Sequence, residues 1–271
     1  MNYSRATNSE LCQSIARSFY IGSWLINMAD IAVLTQSATT NGIRNWYEGE
    51  EDIYQWVGDR VKQVLHQKGK FDFQGKPWKT LSIQPLQTFR NGDKYFGQWD
   101  SETKEFYGQG IYVEASTGEF YEGYFKENRK DGRGRSIYSN GSCYEGQYQN
   151  NQRHGKGTFT WGQDSRWAGD TYIGDFKHDK KDGYGQYTWA KAGTYRGEYK
   201  DDMRQGYGTF TWPDDTKYEG QWSQNKMHGE GKMVSANGRE TVGIWHQNEF
   251  QGERRPKMEI GTERLFNWLV P

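Results

Sequence analysis

A unit of 23 residues starts at Tyr95 and returns into the 240s. Its clearest copy begins at Tyr218 with Tyr-Glu-Gly-Gln-Trp, continues through six turn-type residues, and reaches Gly229-Glu-Gly231. The same phrase recurs at Tyr95–Trp99, Tyr121–Phe125, Tyr144–Tyr148, Tyr172–Phe176 and Tyr195–Tyr199. The leading tyrosines are therefore spaced by 26, 23, 28, 23 and 23 residues. One further step reaches Thr241, which opens a worn copy, Thr-Val-Gly-Ile-Trp. A Gly-x-Gly follows in every full copy, at 108/110, 132/134, 155/157, 183/185, 206/208 and 229/231. A period in this range demands stacked, near-identical units, each touching mainly its neighbours.

Alternation along a strand puts the two aromatics and the glycine of Tyr-x-Gly-x-Trp on one face. It does the same for the glycines and aromatics of Gly155 to Trp161. The two segments, joined by about six polar residues such as Ser223 to His228, predict an antiparallel hairpin. Glycine weakens a strand unless something must approach closely. Here a ring from the adjacent strand lies flat over the glycine backbone. This lets a chain with 33% hydrophobic residues, about half of them aromatic, build a core. One hairpin is marginal alone. Seven in a row would extend on the order of 65 Å at about 4.8 Å per strand.

The phrase Y-x-G-[DEQ]-[FWY], a spacer and G-x-G-x-[YF] resembles the MORN (membrane occupation and recognition nexus) repeat family, over about residues 93–252. The resemblance implies a mainly β, elongated single-sheet solenoid of six to seven stacked hairpins with an N-terminal helical extension. Departures stand at Ser101 to Glu105, at five extra residues around Gln163 to Asp170, and at Ser136 and Met233, which replace the aromatic after Gly-x-Gly. The last copy lacks the tyrosine and keeps only Gly252 of its glycine pair.

The expected organisation is a helical extension over 1–70, a linker and half-repeat cap over 71–92, the solenoid over 93–260 and an apolar tail over 261–271. Apolar residues at Leu11, Ile15, Phe19, Ile26, Ala29 and Val33 have helical spacing. Residues 15–34 are long enough to span a bilayer but contain Arg17 and Asp30. A packed helix, a membrane or interfacial helix and a targeting segment all stay open there. Ser37 to Gly42 reads as a loop by composition. A second helix is predicted from Glu50 to His66, acidic at its start, followed by Gly69, with a stripe of Ile53, Trp56, Val57, Val61, Val64 and Leu65. Phe89-Arg-Asn-Gly92 sits before Tyr95 as Tyr138-Ser-Asn-Gly141 sits before Tyr144, so Phe89 reads as the end of an atypical terminal half-repeat. The tail carries Leu265, Phe266, Trp268, Leu269 and Val270, suited to capping the solenoid or docking on a partner.

The 35 basic and 35 acidic residues cancel, which argues against nucleic acid as a partner. Cys12 and Cys143 give no disulfide framework, which favours an intracellular location. No Gly-x-Gly extends to a nucleotide-binding loop. The five histidines lack metal-ligand spacing, and His154 and His228 share one turn position. No catalytic, cofactor or metal site is expected.

Two candidate surfaces remain. One is an aromatic ladder of Tyr95, Trp99, Tyr121, Phe125, Tyr144, Tyr148, Tyr172, Phe176, Tyr195, Tyr199, Tyr218, Trp222 and Trp245, either internal glue or in part a groove for a helix or extended peptide. The other is a basic column at the hairpin turns, Arg129, Lys130, Arg153, Lys180, Lys181, Arg204 and Lys226, which could meet anionic lipid or an acidic partner. Acidic residues stand among them, and 93–260 holds 24 basic and 26 acidic residues, so a solvated turn face is the plainer reading. The resemblance implies a non-enzymatic scaffold or structural subunit of a larger assembly of ciliary or cytoskeletal type. It also permits a membrane tether through 15–34 and the basic turns. MORN repeats fused to lipid kinases or to a lysine methyltransferase make a regulatory module a third reading.

Overall fold

A computed structural model of the chain describes residues 53–73 and 81–253. Internal contacts divide the chain into Met1–Trp46 and Tyr47–Pro271, and all described residues belong to the second unit. The 15–34 segment, the 37–42 loop and the 261–271 tail lie outside the described residues.

One open antiparallel sheet holds fifteen strands in chain order, each paired with the strands before and after it. They are β1 (Ser82–Thr88), β2 (Lys94–Trp99), β3 (Phe106–Val113), β4 (Phe120–Lys126), β5 (Arg129–Ile137), β6 (Cys143–Gln149), β7 (Gln152–Thr160) and β8 (Thr171–Lys177), followed by β9 (Lys180–Trp189), β10 (Gly193–Lys200), β11 (Met203–Thr211), β12 (Lys217–Ser223), β13 (Lys226–Val234), β14 (Glu240–His246) and β15 (Glu249–Glu253). Each repeat is one hairpin, from β2–β3 to β14–β15.

The register explains the glycines. In successive pairs Gly97 faces Gly110, Gly110 faces Gly123, Gly123 faces Gly134, and so on to Gly231 opposite Gly243. A continuous row of bare backbone thus crosses the sheet, and the leading tyrosine rings rest on it. A Cβ built at Gly231 would come within 2.5 Å of Tyr218 Cε2. Each leading tyrosine also donates its hydroxyl to the carbonyl three residues on, from Tyr95 to Gln98 at 2.7 Å through Tyr218 to Gln221 at 3.0 Å. The ring therefore buries its apolar body without leaving its polar tip unpaired.

The hairpin turns are tighter than the sequence suggests. From β4–β5 on the expected six-residue spacer is a two-residue turn, so that in the copy from Tyr218 the following strand starts at Lys226, not Gly229, whereas 100–105 join β2 to β3. Both turn residues have positive φ, as at Gln224 (49°) and Asn225 (69°), which matches the twist of the flanking strands. The first glycine of each Gly-x-Gly is then a bulge residue in left-handed backbone, for example Gly206 at φ 68°, where the register with β10 shifts.

The second predicted helix is interrupted. Ile53 and Tyr54 are helical, a turn follows at 55–57, and α1 runs Asp59–Lys68 after Gly58, an extended N-cap (φ −66°, ψ 158°). Gly69 closes it in left-handed backbone, its N–H bonded to Leu65 O. The break shifts the phase of the stripe. Ile53, Val57, Val61 and Val64 are buried, Leu65 is half-buried, and Trp56 is 55% exposed.

Residues 53–73 lie on the face opposite the leading tyrosines. Tyr54 stacks on Phe120, and Arg135 and Arg133 reach Gly69 O and Asp72 O at 2.6 and 2.9 Å. Tyr124 donates to Phe73 O at 2.5 Å. On this face Phe96, Ile111, Val113, Ile137 and Cys143 are buried, and Glu122 and Arg135 form a buried ion pair, Nε to Oε1 2.6 Å.

Candidate functional site

The tyrosine face is layered. At its floor the leading rings meet the aromatics of the fifth repeat position edge-on, both within a repeat and across to the next. Tyr195 contacts Tyr199 at 5.3 Å and Trp222 at 5.1 Å, and Tyr172 contacts Phe176 and Tyr199 in the same way. Such tilted pairs suit the ring quadrupole. Twelve of the thirteen ladder residues are buried, Trp99 being the half-buried one. The ladder is the buried floor of this face, which agrees with internal glue more than with a groove that a partner enters.

What faces outward comes from the second strand of each hairpin. Phe106, Tyr112, Tyr138, Phe159, Trp161, Trp189 and Trp212 are half-buried against the floor. Their alternation in Gly-x-Gly-x-Phe-x-Trp is visible in the sequence, but it is less regular than the leading tyrosines, since Ser136 and Met233 interrupt it.

The basic column splits by side. Tenth-position residues fold over the rings. Lys130 Nζ stands 4.8 Å from the Tyr121 centroid, and Arg153 Cζ 5.2 Å from Phe159. Lys181 Nζ stands 5.8 Å from Tyr187, and Arg204 Cζ 4.5 Å from Trp222. Burial lowers the Arg204 pKa. In the first copy Phe106 takes this place, stacked on Tyr95 at 3.8 Å. Ninth-position residues point elsewhere: Arg129 pairs with Glu127 at 2.5 Å, Lys180 with Asp201 at 3.0 Å, and Lys226 bonds Gln247 at 2.5 Å.

A clamp fixes each tenth-position residue. The eighth residue of the next repeat, always Asn or Asp in left-handed backbone, accepts its N–H through the side chain and donates its own N–H back to its carbonyl. The pairs are Asn128 on Phe106, Asn151 on Lys130, Asp179 on Arg153, Asp202 on Lys181, Asn225 on Arg204 and Asn248 on Met227. Neighbouring hairpins are thereby tied at the turns, and non-glycine residues in the left-handed region are offset by two hydrogen bonds.

Cys143 is buried on the opposite face, and burial pushes its thiol up to about 11, away from reactive thiolate. His154 packs on His178 and His228 on His246, with ring centroids 5.5 and 5.2 Å apart. Among the described residues no group of three or more His, Cys, Asp or Glu is placed to hold a metal ion, and no helix is long and apolar enough to cross a membrane.

Residues 121–143, 144–166, 172–194, 195–217 and 218–238 match the MORN repeat family. A comparison with curated proteins gives no match. Among solved structures, the chain is similar to the TCP domain of SAS-4 from Drosophila melanogaster in complex with a proline-rich motif of Ana2. The identity is 11%, the match covers 65% of this chain and 99% of that one, and the TM-score is 0.31. A catalytically inactive virginiamycin B lyase from Staphylococcus aureus with quinupristin matches at 8% identity over 66% of this chain and 76% of that one, with TM-score 0.18. MORN repeats are generally non-enzymatic modules for protein or membrane-lipid interaction, and proteins bearing them are often membrane-associated or cytoskeletal. The chain thus carries five consecutive MORN repeats over 121–238, continued by hairpins of the same geometry on both sides.

Proposed function

We propose that this protein is a non-enzymatic scaffold that holds partner proteins along its aromatic groove, as a structural subunit of a ciliary or cytoskeletal assembly. The observation that carries the reading is the layer of half-buried Tyr138, Phe159, Trp161, Trp189 and Trp212 above the buried floor. Aromatic side chains fixed in place lose little entropy when a partner covers them. A helix or extended peptide fits such a surface. The alternative of a tether to anionic membrane through the basic turns has less support, because Arg129, Lys130, Arg153, Lys180 and Lys181 are paired with carboxylates.

The test combines two measurements on the full chain. Partners captured from ciliated cells are identified with the wild type and with a Trp161→Ala, Trp189→Ala, Trp212→Ala variant of unchanged sheet circular dichroism. Flotation with anionic liposomes is run in parallel. The scaffold reading expects axonemal or cytoskeletal partners lost in the variant and no flotation through the basic turns. Equal capture by both proteins, or flotation abolished by neutralising Arg129, Lys180 and Lys226, would overturn it.

A further inference from the structure

Resting on the reading that the groove takes a protein partner, we infer that the stretch framed by Trp161, Trp167, Trp189 and Arg204 recognises an Asp or Glu side chain flanked by an apolar residue on that partner.

Arg153 and Arg204 occupy the same repeat position and make the same backbone bonds, yet their charges are answered differently. Arg153 Nε bonds Asp179 Oδ1 at 3.1 Å, and its Nη2 bonds Asp179 O at 2.7 Å. Arg204 Nη2 bonds Asn225 O at 2.6 Å, but the side chain facing it is an amide. Among the described residues no carboxylate pairs with Arg204. The neighbouring Lys181 is neutralised by Asp202 at 3.0 Å, so one positive charge is left over. That guanidinium sits among Trp189, Tyr195, Phe210 and Trp222, each ring centroid within 5.6 Å, with most of its donors unused.

The second observation is a cavity of about 500 Å³ opening onto Arg204, with Trp161, Trp167 and Trp189 in its walls. Trp167 comes from the residues that break the repeat period, and it is 53% exposed. Its loop is not loose. Asp164 is held by Arg60 through Nε and Nη2, both at 2.8 Å, and Trp167 N–H donates to Ser165 Oγ at 3.2 Å. An apolar side chain entering between the tryptophans would place an adjacent carboxylate against the guanidinium, a charge-assisted contact in a partly dry site. The positive charge disfavours a cationic guest, which an aromatic cage alone would attract.

The test titrates the full chain, labelled at the tryptophan indoles, with acetyl-Leu-Glu-Leu-amide and with its Gln and Lys counterparts. The Glu peptide is expected to shift the Trp161, Trp167 and Trp189 indole signals, and the Lys peptide to leave them in place. Arg204→Gln and Trp167→Ala should weaken the Glu peptide. Asn225→Asp supplies the carboxylate internally, as Asp179 does for Arg153, and should weaken it at least about tenfold with no loss of thermal stability. Equal affinity for all three peptides, wild-type affinity after Asn225→Asp, or no shift at any of the three indoles would overturn the inference. Shifts confined to Trp99, Trp222 or Trp245 would end this site while leaving the scaffold reading intact.

Discussion

The ring of Tyr195 lies so close over Gly208 that a Cβ at that glycine would come within 2.6 Å of Tyr195 Cε2. The same contact recurs between Tyr95 and Gly110, Tyr121 and Gly134, Tyr144 and Gly157, Tyr172 and Gly185, and Tyr218 and Gly231. It makes the glycine row a steric requirement.

Gly208→Ala should therefore destabilise the sheet by about 1–3 kcal/mol or more, because a fully buried ring must leave its place. Gly58→Ala is the control, since that position has φ −66° and open space around it. Its effect should stay within about 1 kcal/mol, the cost of alanine at a helix N-cap. Urea denaturation of both variants measures the difference, and equal midpoints would contradict the ring-on-backbone account.

Asn151→Ala should lower stability by about 1–2 kcal/mol, through loss of the bond to Lys130 N–H at 2.8 Å and the cost of a left-handed alanine at φ 68°. Asn151→Asp should be nearly neutral, since Asp179 and Asp202 make the same bond at φ 67° and 68°. Hydrogen exchange should show the alanine variant opening first at the turns of β4–β5 and β6–β7.

Glu122→Ala leaves Arg135 without its buried partner and should cost about 3–5 kcal/mol. Exchange protection over 59–73 should fall with it, because Arg135 also holds Gly69 O at 2.6 Å. Replacing both partners by Leu and Met should cost less than the single change. A single change as mild as a surface substitution would mean that the pair is not buried.

Alkali should unfold the protein cooperatively. Burial raises the Tyr218 hydroxyl from 10.0 to about 12 and the Cys143 thiol from 9.0 to about 11, and the other five leading tyrosines shift upward for the same first reason. Folded pKa values above unfolded ones mean that the unfolded chain releases protons first as pH rises. This stability is complete below pH 9, declines from there, and is lost as pH passes the folded values. Urea midpoints taken from pH 7 to 12 should be flat and then fall, and Tyr218→Phe should make the fall shallower. A midpoint independent of pH across that window would count against a buried tyrosine floor.

Much of this was legible in the chain. The tyrosine-led phrase and Gly-x-Gly set the hairpins, their number and the faces of the rings, because alternation and glycine spacing are local properties of a strand. The turn length was misjudged because Gln224-Asn225 and its counterparts lack the glycine that usually marks a two-residue turn. Their left-handed backbone is held by a bond to a residue 21 to 26 positions back, as Asn225 holds Arg204. The break before Asp59 was not legible, because the apolar stripe runs past Gly58 without a change of pattern.

The sequence by itself determined a one-dimensional stack of aromatic hairpins, since each unit needs only its neighbours to bury its rings. Only the tertiary structure decided which aromatics are floor and which are surface, because exposure depends on what the adjoining hairpin places above each ring. It also decided that Arg153 is answered by Asp179 while Arg204 faces Asn225, and that Trp167 stands beside it. Those relations join residues of different repeats, and the repeat spacing, however regular, says nothing of which charge is left over.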